Sequence, residues 1–419
     1  MSKFVNKLIA VASVTVMGMA SSHALAQTAP SVCADYKRGT TEIVGERTGK
    51  KIQKALEAYN NDLIDEALAL LYEIDPKGSY DKAFTDNFIG KMLAGKEGEG
   101  QKALKYLKGS VEPKSLNDSE HASTLRLVAD LSMQEKEYDQ AIRFYKNWMD
   151  FTCKQDPDIY TRMAQAYYET KQLPKIVEPA DKAIALYEKP NKNPYVLKLT
   201  SFYERKMFKE TVEVAEELVR KFPDNKQWWS QLGFFYMSVE DYKKALSTME
   251  IAYNQGFLSK KSEIKALAQL YATNGIPYKA AKILEKYIKS GLIERDAKSV
   301  SSLANAYHQA KEYKESAQYY GEAGKLSNDS DYFRRQGTLL LAAEDYKGAI
   351  VALQKALDLG NDNVGRIHIA LMEANMYTDN FKQAIYHARQ AKKDKSTERN
   401  ARAWEPYIIE KAGNRGIKI

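Results

Sequence analysis

The histidines and cysteines of this 419-residue chain are the side chains best suited to binding a metal ion. No two of the five histidines stand four residues apart, the spacing that places two imidazoles on one face of a helix. The two cysteines are too few and too far apart in sequence to form a zinc cage. The spacing predicts no metal site and no bound cofactor. The histidines are His23, His121, His308, His368 and His387.

The segment from Gly45 to Lys51 is the nearest approach to a catalytic or phosphate-binding motif. It has three residues between its glycines where a phosphate loop has four, and Lys51 stands where a serine or threonine would coordinate magnesium. No G-x-S-x-G nucleophile motif occurs, and the carboxylates have the spacing expected of solvated helix faces. We predict that the chain is not an enzyme.

The first 26 residues have the order of a secretory signal. Lys3 and Lys7 precede an apolar run from Leu8 to Met19, and Ala24-Leu25-Ala26 supplies a small-residue cleavage site. We expect cleavage after Ala26 and export through the secretory route; the alternative is an N-terminal core helix. The apolar run is shorter than the roughly 20 residues that cross a bilayer, and Gln27 follows the cut instead of a lipid-accepting cysteine, so no membrane anchor is predicted.

Charge and cysteine content add two expectations. The 63 basic and 55 acidic residues are spread along the chain without long blocks of one sign, which argues against nucleic acid as a partner. In an oxidising compartment Cys33 and Cys153 are able to form one disulfide, which would stabilise the fold by about 4 to 5 kcal/mol. The alternative is two isolated thiols.

A repeated pattern governs the rest of the chain. Its clearest copy is Trp229-x-x-Leu232-Gly233-x-x-Tyr236, followed by Ala245 twelve residues after the glycine. This is the tetratricopeptide (TPR) pattern of two antiparallel helices, in which the small residues allow the helices to cross closely.

Small or apolar residues recur every 33 to 38 residues along the second helices. The recurrence predicts an all-α, right-handed superhelical solenoid of about ten TPR-like hairpins. The expected domains are a signal peptide (1–26), an irregular segment (27–47), the array (48–395) with a flexible joint near 95–120, and a capping helix with tail (396–419). Pro179 should kink a second helix. The recurring residues are Ala67, Ala103, Ala141, Ile176, Thr211, Ala245, Ala280, Ser316, Ala349 and Ala384.

In this architecture the first helices line a concave groove. Residues beside the small position of each first helix are amides, cations and aromatic rings, a mixture suited to holding an extended or helical peptide. An ordinary solvated polar surface is the alternative. The predicted partner-binding groove consists of Arg126, Gln165, Tyr168, Tyr203, Gln231, Phe234, Lys265, Gln269, Asn305, His308 and Arg334.

Several segments outside the repeat pattern carry a more particular resemblance. The chain resembles the periplasmic TPR proteins encoded beside TonB, ExbB and ExbD in marine gammaproteobacteria. The resemblance implies a helper in TonB-dependent outer-membrane uptake of iron complexes, with TonB, an ExbD-type subunit or an outer-membrane receptor as protein partner. The segments are 45–55, 117–123, 190–199 and 262–278.

Two other functions remain open at this stage. A TPR scaffold for cell-envelope assembly, in peptidoglycan or outer-membrane protein biogenesis, fits the same groove. A carbohydrate-processing enzyme fits worst, because such an enzyme needs two inward carboxylates at a fixed separation and the groove positions supply only Asp130.

Overall fold

The computed structural model describes residues 32, 33, 36 and 40–418. In this part of the chain the regular structure is helical throughout, and ten helix pairs joined by short turns are followed by one last helix. The predicted all-α array of ten hairpins with a capping helix is confirmed. The proposed signal peptide lies outside the described residues, and export stays a prediction.

The helices are numbered in chain order, so that odd numbers up to α19 are first helices and even numbers are second helices. The first helices are α1 (Glu46–Asn60), α3 (Ser79–Ala94), α5 (Asp118–Gln134), α7 (Pro157–Glu169), α9 (Lys192–Glu204), α11 (Lys226–Ser238), α13 (Lys261–Thr273), α15 (Ala297–Gln309), α17 (Ser330–Ala342) and α19 (Val364–Tyr377). The second helices are α2 (Ile64–Tyr72), α4 (Gly100–Val111), α6 (Tyr138–Thr152), α8 (Val177–Leu186), α10 (Phe208–Lys221), α12 (Tyr242–Asn254), α14 (Pro277–Lys289), α16 (Tyr313–Ser327), α18 (Tyr346–Asp358) and α20 (Phe381–Ala391). The last helix is α21 (Glu398–Asn414).

The helices form two compact units, one ending at Lys189 and the other beginning at Pro190. The first unit contains hairpins one to four, and the second contains hairpins five to ten and α21. The link between hairpins two and three, where a flexible joint is predicted, lies within the first unit. There the Asn117 side chain exchanges two hydrogen bonds with the backbone of Glu42, at 2.8 and 3.0 Å. The flexibility of this link stays a prediction.

The recurring small positions are where the two helices of each hairpin meet. All ten second-helix positions are 0 to 1 % exposed, from Ala67 to Ala384. A Cβ atom added to Gly233 would lie 2.5 Å from Cγ of Met249, and one added to Gly337 would lie 2.5 Å from Cγ of Leu353. These two crossings therefore favour glycine, because a Cβ atom would force the side chain of Met249 or Leu353 to move.

Every hairpin turn contains one residue in the left-handed backbone region, always five residues before the small position of the second helix. In the eighth hairpin this residue is Lys311, with φ of 62°. Its N–H donates to the His308 carbonyl at 2.9 Å, and the next N–H donates to the Tyr307 carbonyl at 3.0 Å. These two bonds satisfy carbonyls at the end of the first helix and reverse the chain. The ten residues are Asp62, Gly98, Lys136, Lys171, Lys206, Glu240, Gly275, Lys311, Glu344 and Asp379.

The fourth hairpin has an altered second helix. A 3-10 turn at Leu173–Ile176 leads directly into α8, and Pro179 is the third residue of that helix. Pro179 thus occupies the first turn of α8, where an N–H has no carbonyl partner within the helix and its absence costs little. The sequence predicts a kink at Pro179. The irregularity that the structure shows is the 3-10 turn that ends at Ile176, directly before α8.

The last helix covers the end of the tenth hairpin. Ile408 and Ala412 are fully buried and pack in one apolar cluster with Phe381 and Ala384 of α20. Burial of this face supplies the cover that a helical repeat array needs at its end. Within residues 40–418, no helix combines the length and the apolar character that crossing a bilayer requires.

The segment before α1 is fastened to the first unit. A disulfide joins Cys33 to Cys153, the residue that directly follows α6, with 5.0 Å between their Cα atoms. The Cys33 N–H donates to the Phe151 carbonyl at 3.2 Å, and the ring of Tyr36 lies against that of Phe151, 4.9 Å between centroids. Of the two alternatives for the cysteines, the structure contains the disulfide.

Candidate functional site

A cavity of about 510 Å³ lies in the second unit between the first helices α13 and α15. Three of the predicted groove residues, Lys265, Gln269 and Asn305, line it. The second helix α14 forms the floor through Ala280 and Leu284. The structure therefore brings these three side chains, from two successive repeats, to one concave site.

The two helices present different faces to this cavity. Helix α13 contributes Lys265, Gln269 and Thr273, which follow one another at intervals of four residues. Helix α15 contributes a second row, which consists of Ser299, Ser302, Asn305 and Gln309. Two rows of hydroxyl and amide groups thus flank a strip of space whose walls otherwise consist of alanine side chains.

The cavity is wide because its walls carry small residues. Ala268 and Ala272 on α13 and Ala306 on α15 line it, and none of them extends beyond Cβ. Leu284 gives the floor an apolar character. Such a space admits an apolar ligand side chain, while the flanking amides are able to bond the ligand backbone.

Lys265 is the charged side chain of this lining. Its ammonium group donates a hydrogen bond to Oγ of Ser299 at 3.2 Å, which holds it across the cavity. Nearby Asp296 caps α15 by accepting the Ser299 N–H at 2.6 Å. The backbone and side-chain hydrogen bonds from Ser299 lower the pKa of Asp296, and the charges of Lys265 and Lys261 lower it further. One cation therefore faces the cavity, partly balanced by an anionic carboxylate.

The other predicted residues of the second unit lie outside this cavity. The ring of Tyr203 packs against Phe235 and Phe208, with centroids 5.6 and 6.0 Å apart, and burial raises its pKa. Gln231 and Phe234 are half-buried on α11. Tyr203 thus serves packing between repeats at least as much as an open surface.

His308 and Arg334 also lie elsewhere. His308 is exposed, and its ring centroid is 6.2 Å from that of Tyr313. Arg334 is bound to Asp331 of its own helix, with Nη2 2.7 Å from the carboxylate. Because Arg334 already has an anionic partner, a ligand would have to compete with that carboxylate for it.

In the first unit, Arg126 is committed to structural contacts. Its guanidinium lies 2.6 Å from the carboxylate of Asp156 and 5.5 Å from the centre of the Trp148 ring. Gln165 and Tyr168 are half-buried on α7. The structure places these two on the predicted first helix, α7.

A larger cavity of about 760 Å³ lies in the first unit between α6, α7 and α8. It contains four lysines, but Lys182 is paired with Glu178 at 2.9 Å and Lys175 donates to Gln172 at 2.7 Å. It includes second-helix side chains and one half of the disulfide in its wall. None of the predicted groove residues lines it, so we regard the α13–α15 cavity as the candidate site.

The predicted groove lacks the other four polar residues of that cavity: Thr273, Ser299, Ser302 and Gln309. The predicted groove uses the same few offsets from the small residue of every first helix. A space between two parallel helices, however, is flanked by opposite sides of those helices, so the contributing offsets differ. Ser299 and Ser302, five and two residues before Ala304 of α15, lie at offsets from which α13 contributes nothing to the cavity.

Comparisons with known proteins give structural likenesses only. No protein-family model and no curated protein matches the chain. YrrB, described as a TPR protein with an unusual peptide-binding site, is 17% identical over 48% of this chain and 99% of its own, with a TM-score of 0.36. A TPR protein from Parabacteroides merdae is 14% identical over 60% and 98%, with a TM-score of 0.34. The C-terminal part of a TPR protein from Cytophaga hutchinsonii is 17% identical over 59% and 99%, with a TM-score of 0.37.

These TM-scores are too low for the likenesses to carry an argument about function. The assignment of the architecture rests on the ten hairpins themselves, with their buried small positions and the left-handed residue in each turn.

Proposed function

We propose that this chain is a non-enzymatic scaffold that binds an extended segment of a partner protein between α13 and α15. The observation that carries the proposal is the lining of the cavity: two rows of amides and hydroxyls over a floor of alanine and leucine. Amide groups donate and accept, so they are able to pair with both the N–H and the C=O groups of a peptide. Lys265 favours a carboxylate at its end of the cavity.

An array of immobilised peptides tests this proposal. Peptides selected by the full mature chain should lose binding about tenfold when Gln269 and Asn305 are replaced by alanine, which removes about 1.4 kcal/mol or more of hydrogen bonding. Gln354→Ala is the matched control, since Gln354 is an exposed amide on the second helix α18. Equal binding by the double variant and the control would refute this site.

A second variant distinguishes the loss of hydrogen bonds to the peptide from the loss of space for the peptide. Ala272→Phe places a ring in the cavity from a half-buried position and should block the same peptides while retaining both amides. Circular dichroism and the melting temperature check that each variant keeps its helices. Peptide binding that survives in Ala272→Phe would place the peptide elsewhere.

At the level of the cell, we propose that the scaffold serves TonB-dependent uptake of iron complexes in the periplasm. The family resemblance of the sequence supports this role, and the signal-like N-terminus and the Cys33–Cys153 disulfide fit an oxidising compartment. A deletion strain should grow poorly on iron complexes under iron limitation and normally in replete medium. A strain that instead loses envelope integrity in replete medium would favour the envelope-assembly scaffold.

A further inference from the structure

The cavity of about 760 Å³ in the first unit lies between two second helices, α6 and α8, with the first helix α7 beneath them. This arrangement is the reverse of the α13–α15 cavity, which lies between two first helices over a second helix. Its described lining residues include four lysines and two carboxylates, so positive charge exceeds negative charge by two. The lysines are Lys146, Lys154, Lys175 and Lys182, and the carboxylates belong to Asp150 and Glu178.

The wall formed by α8 differs from the corresponding surface of the other hairpins. In the other nine, the second helix begins three residues before the recurring small position, as Tyr138 precedes Ala141 in α6. In the fourth hairpin a 3-10 turn occupies those residues, and α8 begins only after Ile176. A 3-10 turn is narrower and rises more per residue than an α-helical turn. The cavity therefore belongs to this hairpin in particular and is not an ordinary feature of the repeat.

Two of the four lysines are already engaged within the cavity. Lys182 pairs with Glu178 at 2.9 Å, and its Nζ lies 5.4 Å from the centre of the Tyr160 ring. The Nζ atom of Lys175 lies 5.8 Å from the centre of the Tyr167 ring. These contacts hold both lysines against the tyrosines of α7.

The other two lysines, Lys146 and Lys154, are available to a ligand. Both are exposed, and neither ammonium group has a hydrogen bond or an ion pair with another described residue. Lys146 also acts across the cavity. The hydrogen bond from Lys182 lowers the pKa of Glu178 on α8, and the charge of Lys146 on α6 lowers it further. Positive potential thus extends from one wall of the cavity to the other.

We propose that this cavity binds an acidic segment of a partner protein, with carboxylates paired to Lys146 and Lys154. Lysine binds carboxylates through charge-assisted hydrogen bonds. The hydroxyl groups of Tyr160 and Tyr167 have no partner among the described residues and are able to donate to the same carboxylates. A single small dianion would leave most of this volume to water, whereas several peptide residues fill it. The site does not depend on the function proposed for the α13–α15 cavity.

The separation of the two available lysines indicates how the acidic residues are spaced. Lys146 lies within α6, and Lys154 follows eight residues later, just beyond the end of the helix. A rise of about 1.5 Å per residue places their Cα atoms on the order of 10 Å apart. An extended peptide advances about 3.3 Å per residue. Two carboxylates about two to four residues apart are therefore able to reach both lysines.

Isothermal titration calorimetry with a synthetic acidic peptide tests this inference. The probe is a heptapeptide blocked at both ends, with glutamate at the second, fourth and sixth positions and serine or glycine elsewhere. We expect it to bind the full mature chain at low ionic strength. Lys146→Gln combined with Lys154→Gln should weaken binding about tenfold or more. Lys347→Gln with Lys355→Gln is the matched control, since both lysines are exposed on α18 and are also eight residues apart.

Glu178 provides a variant that should bind the peptide more tightly. Its carboxylate repels acidic side chains and occupies Lys182. Glu178→Gln should therefore strengthen binding roughly threefold in dilute buffer. Glu315→Gln, at an exposed position on α16, makes the same change of net charge and should leave the affinity unchanged. Circular dichroism shows whether each variant has kept its helices.

Four results would overturn the inference. The first is the absence of binding at peptide concentrations up to about 1 mM. The second is an equal loss of affinity in the Lys146→Gln, Lys154→Gln variant and in the α18 control, which would indicate attraction to the whole basic surface. The third is displacement of the peptide by inorganic phosphate at constant ionic strength, which would assign the cavity to phosphate. The fourth is loss of binding in the Gln269→Ala, Asn305→Ala variant, which would place the acidic peptide between α13 and α15.

Discussion

Charged side chains occupy a backbone conformation that usually favours glycine. Eight of the ten left-handed turn residues are lysine, glutamate or aspartate. The left-handed region costs a residue with a Cβ atom about 1 kcal/mol. The two hydrogen bonds of each turn and the packing of both helices offset that cost, and they fix the conformation regardless of residue type.

Glycine at one of these positions should stabilise the fold. We expect Lys311→Gly to raise the free energy of unfolding by about 0.5 to 1 kcal/mol, because the Cβ penalty disappears. Gln318→Gly, in the middle of the adjacent helix α16, should lower it by about 1 kcal/mol. Chemical denaturation followed by circular dichroism measures both; stability lowered equally by the two changes would contradict the assignment of Lys311.

A hydrogen bond between a tyrosine and a glutamate recurs between neighbouring repeats. The tyrosine near the end of a first helix donates to a glutamate on the second helix of the preceding hairpin. Tyr271 bonds Glu250 at 2.6 Å, and Tyr307 bonds Glu285 at 2.8 Å. A hydrogen bond to a carboxylate is about twice as strong as one between neutral groups, so these tyrosines fasten successive hairpins together.

Glu285 makes this fastening sensitive to acid. Burial raises its pKa, but hydrogen bonds from Lys289, Tyr319, Lys282 and Tyr307 outweigh burial and hold the pKa at about 2. An ordinary glutamate has a pKa of 4.5, so the unfolded chain takes up a proton first. The resulting stabilisation is complete above pH 4.5 and is lost as the pH falls towards 2.

Glu285→Gln should therefore destabilise the chain in a pH-dependent way. At pH 7 we expect a loss on the order of 2 kcal/mol in the free energy of unfolding, shrinking as the pH approaches 2. Urea denaturation at several pH values provides the measurement. Exposed Glu315 supplies the control, since Glu315→Gln should change little at any pH. A loss that is the same at pH 3 and pH 7 would exclude this explanation.

At the scale of the helix, sequence reasoning succeeded where packing dictates residue type. The close helix crossing at Gly233 and Ala245 was predictable, because only small side chains fit where two helices cross. The conformation of Lys311 was not predictable, since lysine has no preference for left-handed turns. The contact between His368 and His387, whose Nδ1 atoms lie 3.0 Å apart, was equally unpredictable, because it depends on the register of two packed helices. Ser299 and Ser302, on the α15 side of the candidate cavity, could not be predicted for the same reason.

Two adjacent isoleucines of the capping helix α21 allow a test of whether this helix covers the end of the array. Ile408 is fully buried against the tenth hairpin, whereas Ile409 is 48 % exposed. Ile408→Ala should lower the free energy of unfolding by about 2 to 4 kcal/mol, while Ile409→Ala should cost less than about 0.5 kcal/mol. Thermal denaturation of the two variants distinguishes them, and equal melting temperatures would show that α21 does not cover the array.

At the scale of the whole molecule, the disulfide encloses the first three hairpins. Its cysteines are 120 residues apart, and closing a loop of that size stabilises by about 4 to 5 kcal/mol. Cys33→Ser with Cys153→Ser should lower the stability of the first unit by about that amount. Hydrogen exchange should then accelerate in peptides from α1 to α6, and a reductant acting on the wild type should reproduce the effect. Unchanged exchange there would mean that the bond adds no stability.

The disulfide also determines how the chain carries tension. When the N-terminal segment and the C-terminus are pulled apart, the load passes from Cys33 to Cys153 through the sulfur atoms. The first three hairpins then lie outside the load path, and the hairpins that follow are the ones that extend. Reduction would return those residues to the path and lengthen the fully extended chain by roughly 400 Å. If a partner pulls on this protein, the disulfide keeps the length of the N-terminal part fixed. The hairpins that follow Cys153 are then the part that unfolds and lengthens.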